Sequence, residues 1–392
     1  MRKGILADSS MLRGEPPLEY LAKANELERQ GKEIVRFEIG QPDFDTPKHV
    51  KDAAIQALKD GFTHYVPSDG IPELKVAIQE DIEMSRGFKP SLDQILVLPG
   101  AKPGLYFSLI SIIQQGDEVI YQNPCFFTFD SMVGYMGAKK VQVPLYEENE
   151  FRMTPDEIQE RITDETKMII INSPQNPTGA VLTENDIKEI AEMAEDNDLY
   201  ILSDEIYSKM YYDGLEHHSP SYLDECNERT IIIDGFSKAY SMTGWRLGYA
   251  VAPEEIIHEM ELLLADAISC TTSFAQKGAV EALRGPQDFT KMMMEEFTKR
   301  RNALVEGIIE EVPGMNCIYP KGAFYAFPNI KETGMTSEEV AKYMLNDAGV
   351  ALLPGTSFGS QGEGFLRISY AQSLDMIDKG IERMKEALND KL

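Results

Sequence analysis

The segment Thr230-Ile-Ile-Ile-Asp234-Gly-Phe-Ser-Lys238-Ala-Tyr-Ser-Met-Thr-Gly-Trp-Arg246-Leu-Gly248 decides how the chain is read. Its first five residues form an apolar, β-branched run of strand length, the pattern of a strand buried on both faces of a parallel sheet. Open α/β sheets build their ligand crevices just beyond the carboxyl ends of such strands, and Lys238 is expected there. Its neighbours Phe236, Ala239, Tyr240 and Met242 are apolar or aromatic, and Arg246 follows in the same segment. Apolar surroundings and a nearby fixed cation both favour the neutral amine, which can form a Schiff base. In isolation a strand-capping loop with a snorkelling lysine explains the same residues. The rest of the chain has to separate the two.

Upstream, the pattern alternates strand and helix. Candidate strands are Ile95 to Pro99, Glu118 to Tyr121, Lys140 to Pro144, Lys167 to Asn172, Leu199 to Ser203, Thr230 to Asp234 and Leu247 to Ala252. Helical stretches separate most of them, for example Glu184 to Asp196. This alternation predicts an α/β fold with a mainly parallel sheet flanked by helices. Before it come a helical pattern over 16 to 31, a short strand from Ile34 to Ile39, and helices from Pro47 to Asp60 and Pro72 to Ser85. After residue 253 the pattern turns helical, with a long amphipathic stretch from Phe289 to Glu311. Short strands (Phe324 to Phe327, Val350 to Leu353, Phe365 to Ser369) and a last helix from Leu374 to Leu388 then predict a small α+β unit. The expected division is a large domain over 48–290 and a small domain made of 1–47 and 291–392.

Length and charge narrow the function classes. At 392 residues the chain exceeds the usual single-domain size. Its 38 basic and 65 acidic residues give a net charge of −27, which argues against nucleic acid and anionic membrane surfaces as partners. Such a balance suits a salt-adapted or simply a highly soluble surface. The cysteines Cys125, Cys226, Cys270 and Cys317 form no CxxC pair, and His217-His218 lack ligand spacing, so no metal site or disulfide framework is expected. The N-terminus is too short in apolar residues for a signal peptide, and no run reaches membrane-span length, so a cytoplasmic protein is expected.

The chemistry-bearing residues fall at strand ends or in Gly/Pro loops. Asn176 sits in Ser173-Pro-Gln-Asn-Pro-Thr-Gly179, which also reads as a plain turn. Asp204 begins Asp204-Glu-Ile-Tyr207 after a strand; it fits a helix N-cap, or a carboxylate that stabilises a protonated ring nitrogen. Gly100-Ala101-Lys102 opens a helix whose backbone N–H groups can cradle a phosphate, with Ser237 and Arg246 as further donors. Arg367, inside the apolar strand Phe365 to Tyr370, wants a planar anionic partner: a substrate carboxylate, or a buried acid of the chain itself.

Taken in order, Gly40-Gln-Pro-Asp-Phe44, Tyr65 with Gly70-Ile-Pro-Glu-Leu74, Asn176-Pro-Thr-Gly179, Asp204-Glu-Ile-Tyr207, Ser237-Lys-Ala-Tyr-Ser-Met-Thr-Gly-Trp-Arg246 and Arg367 resemble the pyridoxal-phosphate-dependent aminotransferases of fold type I, the aspartate aminotransferase superfamily. The resemblance runs from about Leu18 to the C-terminus. It implies a seven-stranded sheet in the large domain, with Lys238 as the Schiff-base attachment point of pyridoxal 5'-phosphate and as the general base and acid. It implies that Asp204 pairs with the ring nitrogen, and that Tyr207 and Asn176 bond the phenolic oxygen. Ser237, Arg246 and Gly100-Ala101-Lys102 would hold the phosphate, and Phe126 would stack on the ring. Tyr65 would reach the phosphate of a neighbouring subunit, which implies a homodimer. Gly40, Asn176 and Arg367 would hold the substrate α-carboxylate. The implied reaction moves an amino group from an L-amino acid to a 2-oxo acid such as 2-oxoglutarate by ping-pong kinetics.

The chain departs from that pattern at two places. Where the superfamily often has a phosphate-binding serine, three residues before the lysine, this chain has Gly235. Lys102 matches a lysine that contacts a distal carboxylate, which favours aspartate as donor, but Glu15 stands in the segment expected to help it. Aromatic, alanine-like and branched donors therefore stay open. A carbon–sulfur β-lyase of the same fold is the alternative enzyme; a regulatory protein without turnover is the alternative of another class.

Overall fold

The computed structural model describes residue 14 and residues 16–391. Helix α1 (Pro16–Arg29) and a two-residue strand β1 (Val35–Arg36) lead into helices α2 (Lys48–Lys59) and α3 (Pro72–Arg86). The alternating region follows as β2 (Ile95–Leu98), α4 (Ala101–Ile112), β3 (Glu118–Asn123), α5 (Phe127–Tyr135), β4 (Lys139–Pro144), α6 (Pro155–Gln159), β5 (Thr166–Asn172), α7 (Glu184–Asp196), β6 (Tyr200–Asp204), β7 (Thr230–Gly235) and β8 (Gly248–Val251). Then come α8 (Glu254–Ile268), α9 (Ser273–Arg284), α10 (Asp288–Glu311), β9 (Tyr325–Ala326), α11 (Ser337–Tyr343), β10 (Val350–Ala351), β11 (Leu353–Pro354), β12 (Leu366–Ser369) and α12 (Leu374–Asn389).

The central sheet has seven strands in the order β2-β8-β7-β6-β5-β3-β4. Only β8 runs against its neighbours, β2 and β7; the pairs among β3 to β7 are parallel. Strand β7 shows why this sheet lies in the middle of the molecule. All six of its residues are buried, and alternate side chains serve opposite faces. Ile231 and Ile233 pack with α4 and α8 residues such as Leu105 and Met260, whereas Ile232 packs with Leu74, Ala279 and Tyr249 on the other face. Each such isoleucine contributes about 1.5–3 kcal/mol when fully buried. Polar ends fix the helices; Thr183 and Asp186 form a reciprocal capping box at the start of α7.

A second core lies beside this sheet. It joins Phe37, Phe297, Phe324, Tyr370 and Met384, contributed by the chain after β1 and by α10, β9, β12 and α12. The three-stranded sheet β11-β12-β9 is antiparallel, and β1 pairs in parallel with β10. Helix α12 sits close to the β1 segment, because a Cβ on Gly380 would press into the Phe37 ring.

Three local expectations are corrected. The strand expected over Ile34 to Ile39 shrinks to Val35–Arg36, paired with Val350–Ala351. The backbone of Phe37 is shared between two segments, its N–H donating to the Ala351 carbonyl and its carbonyl accepting from the Ser369 N–H, and the ladder does not continue past it. The strand expected over Val350 to Leu353 is two strands in two different sheets, since β11 leaves β10 to pair with β12. Asp204 is the last residue of β6 rather than the cap of a helix: turns, not a helix, follow it.

Candidate active site

The carboxyl ends of β5, β6 and β7 lie side by side because their register aligns Asn172 with Asp204 and Asp204 with Ile233. Asn172 ties two of the ends together: its Nδ2 donates to the Asp204 carbonyl at 3.0 Å. Its Oδ1 accepts from the Asn176 N–H at 3.0 Å. That second bond shapes the Gln175–Gly179 turn and directs Asn176 toward Arg367, whose Nη1 donates to Asn176 Oδ1 at 3.2 Å.

Arg367 is only 2% exposed. Its Nη2 donates to the Glu38 carbonyl, and its guanidinium carbon lies 4.7 Å from the Tyr325 ring centroid and 4.9 Å from that of Phe358. Glu38 Oε1 is engaged by Arg36 instead, and its Oε2 has no hydrogen-bond partner among the described residues. Nε of Arg367 has no hydrogen-bond partner among the described residues. A buried cation held between two rings with an open donor is a costly arrangement unless an anion completes it. The alternative of a buried acid of the chain as its hydrogen-bonded partner does not describe this geometry.

Lys238 lies in the loop after β7 and donates from Nζ to the Gly40 carbonyl at 2.6 Å. Burial, then the positive charges of Arg367, Arg246 and Lys102, hold its amine down at about 8, while Asp204 pulls the other way. Asp204 is pushed up to about 7, first by burial and then by the negative charges of Asp234 and Glu205; the Ile206 N–H opposes this. Two groups of opposite type thus both titrate near neutrality, which is the electrostatic signature of a reacting centre. Tyr207 is buried beside them, and its hydroxyl meets that of Tyr325 at 2.8 Å.

The start of α4 closes the site on another side. Gly100 has φ +98°, and among the described residues no side chain caps the helix, so its first N–H groups can face an anion. A Cβ on Gly100 would run into the Arg246 guanidinium, with Cζ at 2.9 Å; one on Gly248 would meet the Ala101 nitrogen at 2.5 Å. The glycines therefore keep open a cradle formed by the backbone of Gly100 and Ala101 and the side chain of Arg246. Lys102 reaches over Phe126 and Phe127, its Nζ 5.3 and 5.2 Å from their ring centroids. Ser237 is buried next to Lys238. Gly235 explains the missing serine: its Cβ would sit 2.9 Å from Gly248 Cα and 3.0 Å from the Leu247 carbonyl, so β8 excludes any side chain there.

The fold thus gathers Gly40, Gly100, Ala101, Lys102, Phe126, Asn176, Asp204, Tyr207, Lys238, Arg246 and Arg367 near the carboxyl ends of the central strands. Tyr65 is not among them: within one chain it is 87% exposed, on the loop between α2 and α3. Glu15 lies outside the described residues. Tyr325 belongs to the site and was not foreseen, because an apolar run around it reads as core. Only its register opposite Ser369 on β12 brings its hydroxyl to Tyr207 and Gly40.

Comparison with known proteins places the chain. A family model described as aminotransferase class I and II matches residues 32–384. An aspartate aminotransferase of Pyrococcus abyssi is 42% identical, the match covering 92% of this chain and 93% of that one. A probable aspartate/prephenate aminotransferase of Aquifex aeolicus is 41% identical over 100% of both chains. The crystal structure of an aromatic aminotransferase from Pyrococcus horikoshii superposes with a TM-score of 0.89 at 40% identity, covering 94% of this chain and 99% of that one.

Proposed function

Because the chain belongs to the class I and II aminotransferases, we propose that it is a pyridoxal-phosphate enzyme that moves the amino group of an L-amino acid, aspartate by preference, to a 2-oxo acid such as 2-oxoglutarate in a ping-pong reaction. The observation that carries the reading is the buried guanidinium of Arg367, whose Nε has no partner among the described residues, close to the low-pKa amine of Lys238. The residues suit the cofactor. The glycine-lined cradle beside Arg246 accepts a phosphate, Asp204 is a buried carboxylate awaiting a cationic partner, and Lys238 is an amine that loses its proton near neutrality.

When bound, the cofactor supplies an electron sink for the bonds at the donor's α-carbon. The chain supplies the rest. Arg367, with Asn176 and the Gly40 backbone, orients the α-carboxylate. Lys238 holds the cofactor at rest, takes the α-proton and returns it. Asp204 would keep the ring nitrogen protonated, Tyr207 and Asn176 would bond the phenolic oxygen, and Phe126 would stack on the ring. Arg246, Ser237 and the backbone of Gly100, Ala101 and Lys102 hold the phosphate. Tyr65, exposed on one chain, fits a role at the phosphate of a second copy, which makes the active form a homodimer. Lys102 places a cation over the Phe126 and Phe127 rings, which suits both an acidic and an aromatic donor side chain, in keeping with relatives whose names include aspartate, prephenate and aromatic substrates. Four free cysteines suit a reducing, cytoplasmic compartment.

The test is a donor panel without acceptor. Adding aspartate to the cofactor-loaded protein should convert its visible absorbance stoichiometrically, and 2-oxoglutarate should restore it. Steady release of ammonia and pyruvate from a cysteine conjugate with no oxo acid present would instead identify a lyase.

A further inference from the structure

Behind the site, on the side of β6 and β7 that meets the end of α3, lies a buried ion cluster for which the proposed reaction has no direct use. Arg86, the last residue of α3, has a side chain only 1% exposed. Its Nη2 donates to Asp234 Oδ2 at 2.6 Å and to Glu205 Oε2 at 2.8 Å, and its Nε to the same Glu205 oxygen at 3.1 Å. Glu205 directly follows Asp204, and Asp234 directly follows Ile233, the register partner of Asp204. Asp204 therefore has two fixed carboxylates as neighbours, one from its own chain segment and one from the adjacent strand, and they converge on one shared guanidinium.

The surroundings hold these two acids rigidly. Asp234 also accepts from Ser208 Oγ at 2.8 Å and from the Gly235 N–H at 2.6 Å. Glu205 accepts from Ser203 Oγ at 2.9 Å and Ser219 Oγ at 2.6 Å, and pairs with His217 Nε2 at 2.8 Å. His217 Nδ1 meets the Tyr211 hydroxyl at 2.8 Å. Asp81 of α3 lies 3.9 Å from Arg86 and takes Lys209 Nζ at 2.7 Å. Tyr249 of β8 and Tyr240 complete the wall, and Lys238 and Tyr207 face Asp204 from the substrate side. A cluster needed only to fasten α3 to the sheet would be cheaper as apolar side chains, since buried ion pairs seldom repay their desolvation.

We propose that Arg86, Asp234 and Glu205 are positioning residues whose shared charge sets how strongly Asp204 holds a proton, and through it the protonation of the ring nitrogen that Asp204 faces. The inference rests on the reading of Asp204 given above. The two neighbouring carboxylates make Asp204 a stronger partner for a cation, and Arg86 limits that effect by neutralising part of their charge. The upward displacement of the Asp204 carboxyl, caused after burial by Asp234 and Glu205, agrees with this arrangement.

The test uses cofactor-loaded full-length protein and reads the pH midpoint of its visible absorbance, which needs no turnover. Asp234→Asn removes one negative charge and should lower the midpoint by on the order of one pH unit. Arg86→Met removes the shared cation and should raise it by a similar amount. The charge-balanced Arg86→Met/Asp234→Asn double variant leaves fewer unpaired charges and should return to within a few tenths of wild type. Placed in an Asp204→Asn background, Asp234→Asn should have a much smaller effect. If Arg86→Met does not fold, the Asp234→Asn variant and the double variant carry the same comparison. Single variants that melt lower but keep the wild-type midpoint, or that both move it the same way, overturn the inference alone. A wild-type protein that takes up pyridoxal phosphate without any visible band overturns the cofactor reading and this inference with it.

Discussion

Replacing Gly40 by alanine tests whether the Tyr207–Tyr325 pair is held by the glycine backbone beneath Lys238. The new Cβ would overlap the Tyr325 hydroxyl and stand 3.0 Å from its Cε1 and Cζ. Ordinary carbon contacts need about 3.5–4.0 Å, so the ring must withdraw by roughly an ångström. The hydroxyls now 2.8 Å apart would then be beyond hydrogen-bond reach. Both are buried, and each group left unsatisfied costs about 1–3 kcal/mol, so Gly40→Ala should destabilise the protein by about 2–6 kcal/mol. Tyr325→Phe alone strands only the Tyr207 hydroxyl and should cost about 1–2 kcal/mol. In the Gly40→Ala background the same change removes the overlapping atom and should instead stabilise, an inversion of sign that corresponds to a coupling of about 2–3 kcal/mol. Urea denaturation of the four cofactor-free proteins at one pH provides the measurement. Equal effects of Tyr325→Phe in the two backgrounds would refute the reasoning, because the hydroxyl would then not be what the Cβ meets.

Gly235→Ser, which restores the residue common in the superfamily, should lower stability by about 1–3 kcal/mol rather than improve cofactor binding, since the backbone of Leu247 and Gly248 occupies the space; a cofactor titration alongside a thermal melt checks both halves. Arg367→Lys loses the planar fork between Tyr325 and Phe358 and should reduce kcat/KM for α-amino acids by at least about 100-fold, as expected for roughly 3 kcal/mol of charge-assisted bonding. The half-reaction with an amine that lacks a carboxylate should be unchanged. Asp204 has its folded-state pKa raised from 3.8 to about 7, so the folded, cofactor-free protein binds the extra proton and loses stability as pH rises through that interval. Lys238, lowered from 10.5 to about 8, has the opposite sign and adds stability as pH climbs from about 8 toward 10.5. Asp204→Asn should flatten the first slope and Lys238→Ala the second, both read from melting temperatures across pH.

Much of this architecture is legible in the residues themselves. Apolar β-branched runs such as Thr230 to Asp234 can only be satisfied by burial on both faces, and their alternation with helical periods determines a parallel sheet before any contact is known. The same runs locate strand ends, and with them Lys238, Asn176 and Asp204, because a lysine, an asparagine or an aspartate that directly follows a buried strand has few places to go. The weaker readings failed where only pairing decides. Ile34 to Ile39 alternates like a strand, yet just Val35–Arg36 stays in a ladder. Asp204 satisfies the local rule for a helix cap, yet its neighbours are β5 and β7 and turns follow.

What the tertiary structure alone decided are the contacts between residues that share no local pattern. Tyr325 looks like core in its strand and becomes part of the site only by meeting Tyr207, 118 residues away, beside the Gly40 backbone. Arg86 reads as a basic helix end and is instead buried between Glu205 and Asp234, 119 and 148 residues distant. Periodicity records which face of an element is apolar; it carries no information about which distant polar group is set against it. The segment around Lys238 therefore carries the proposed chemistry in its sequence, whereas the charge and steric environment of Lys238 and Asp204 exists only once β5 to β8, α3 and the second core are assembled.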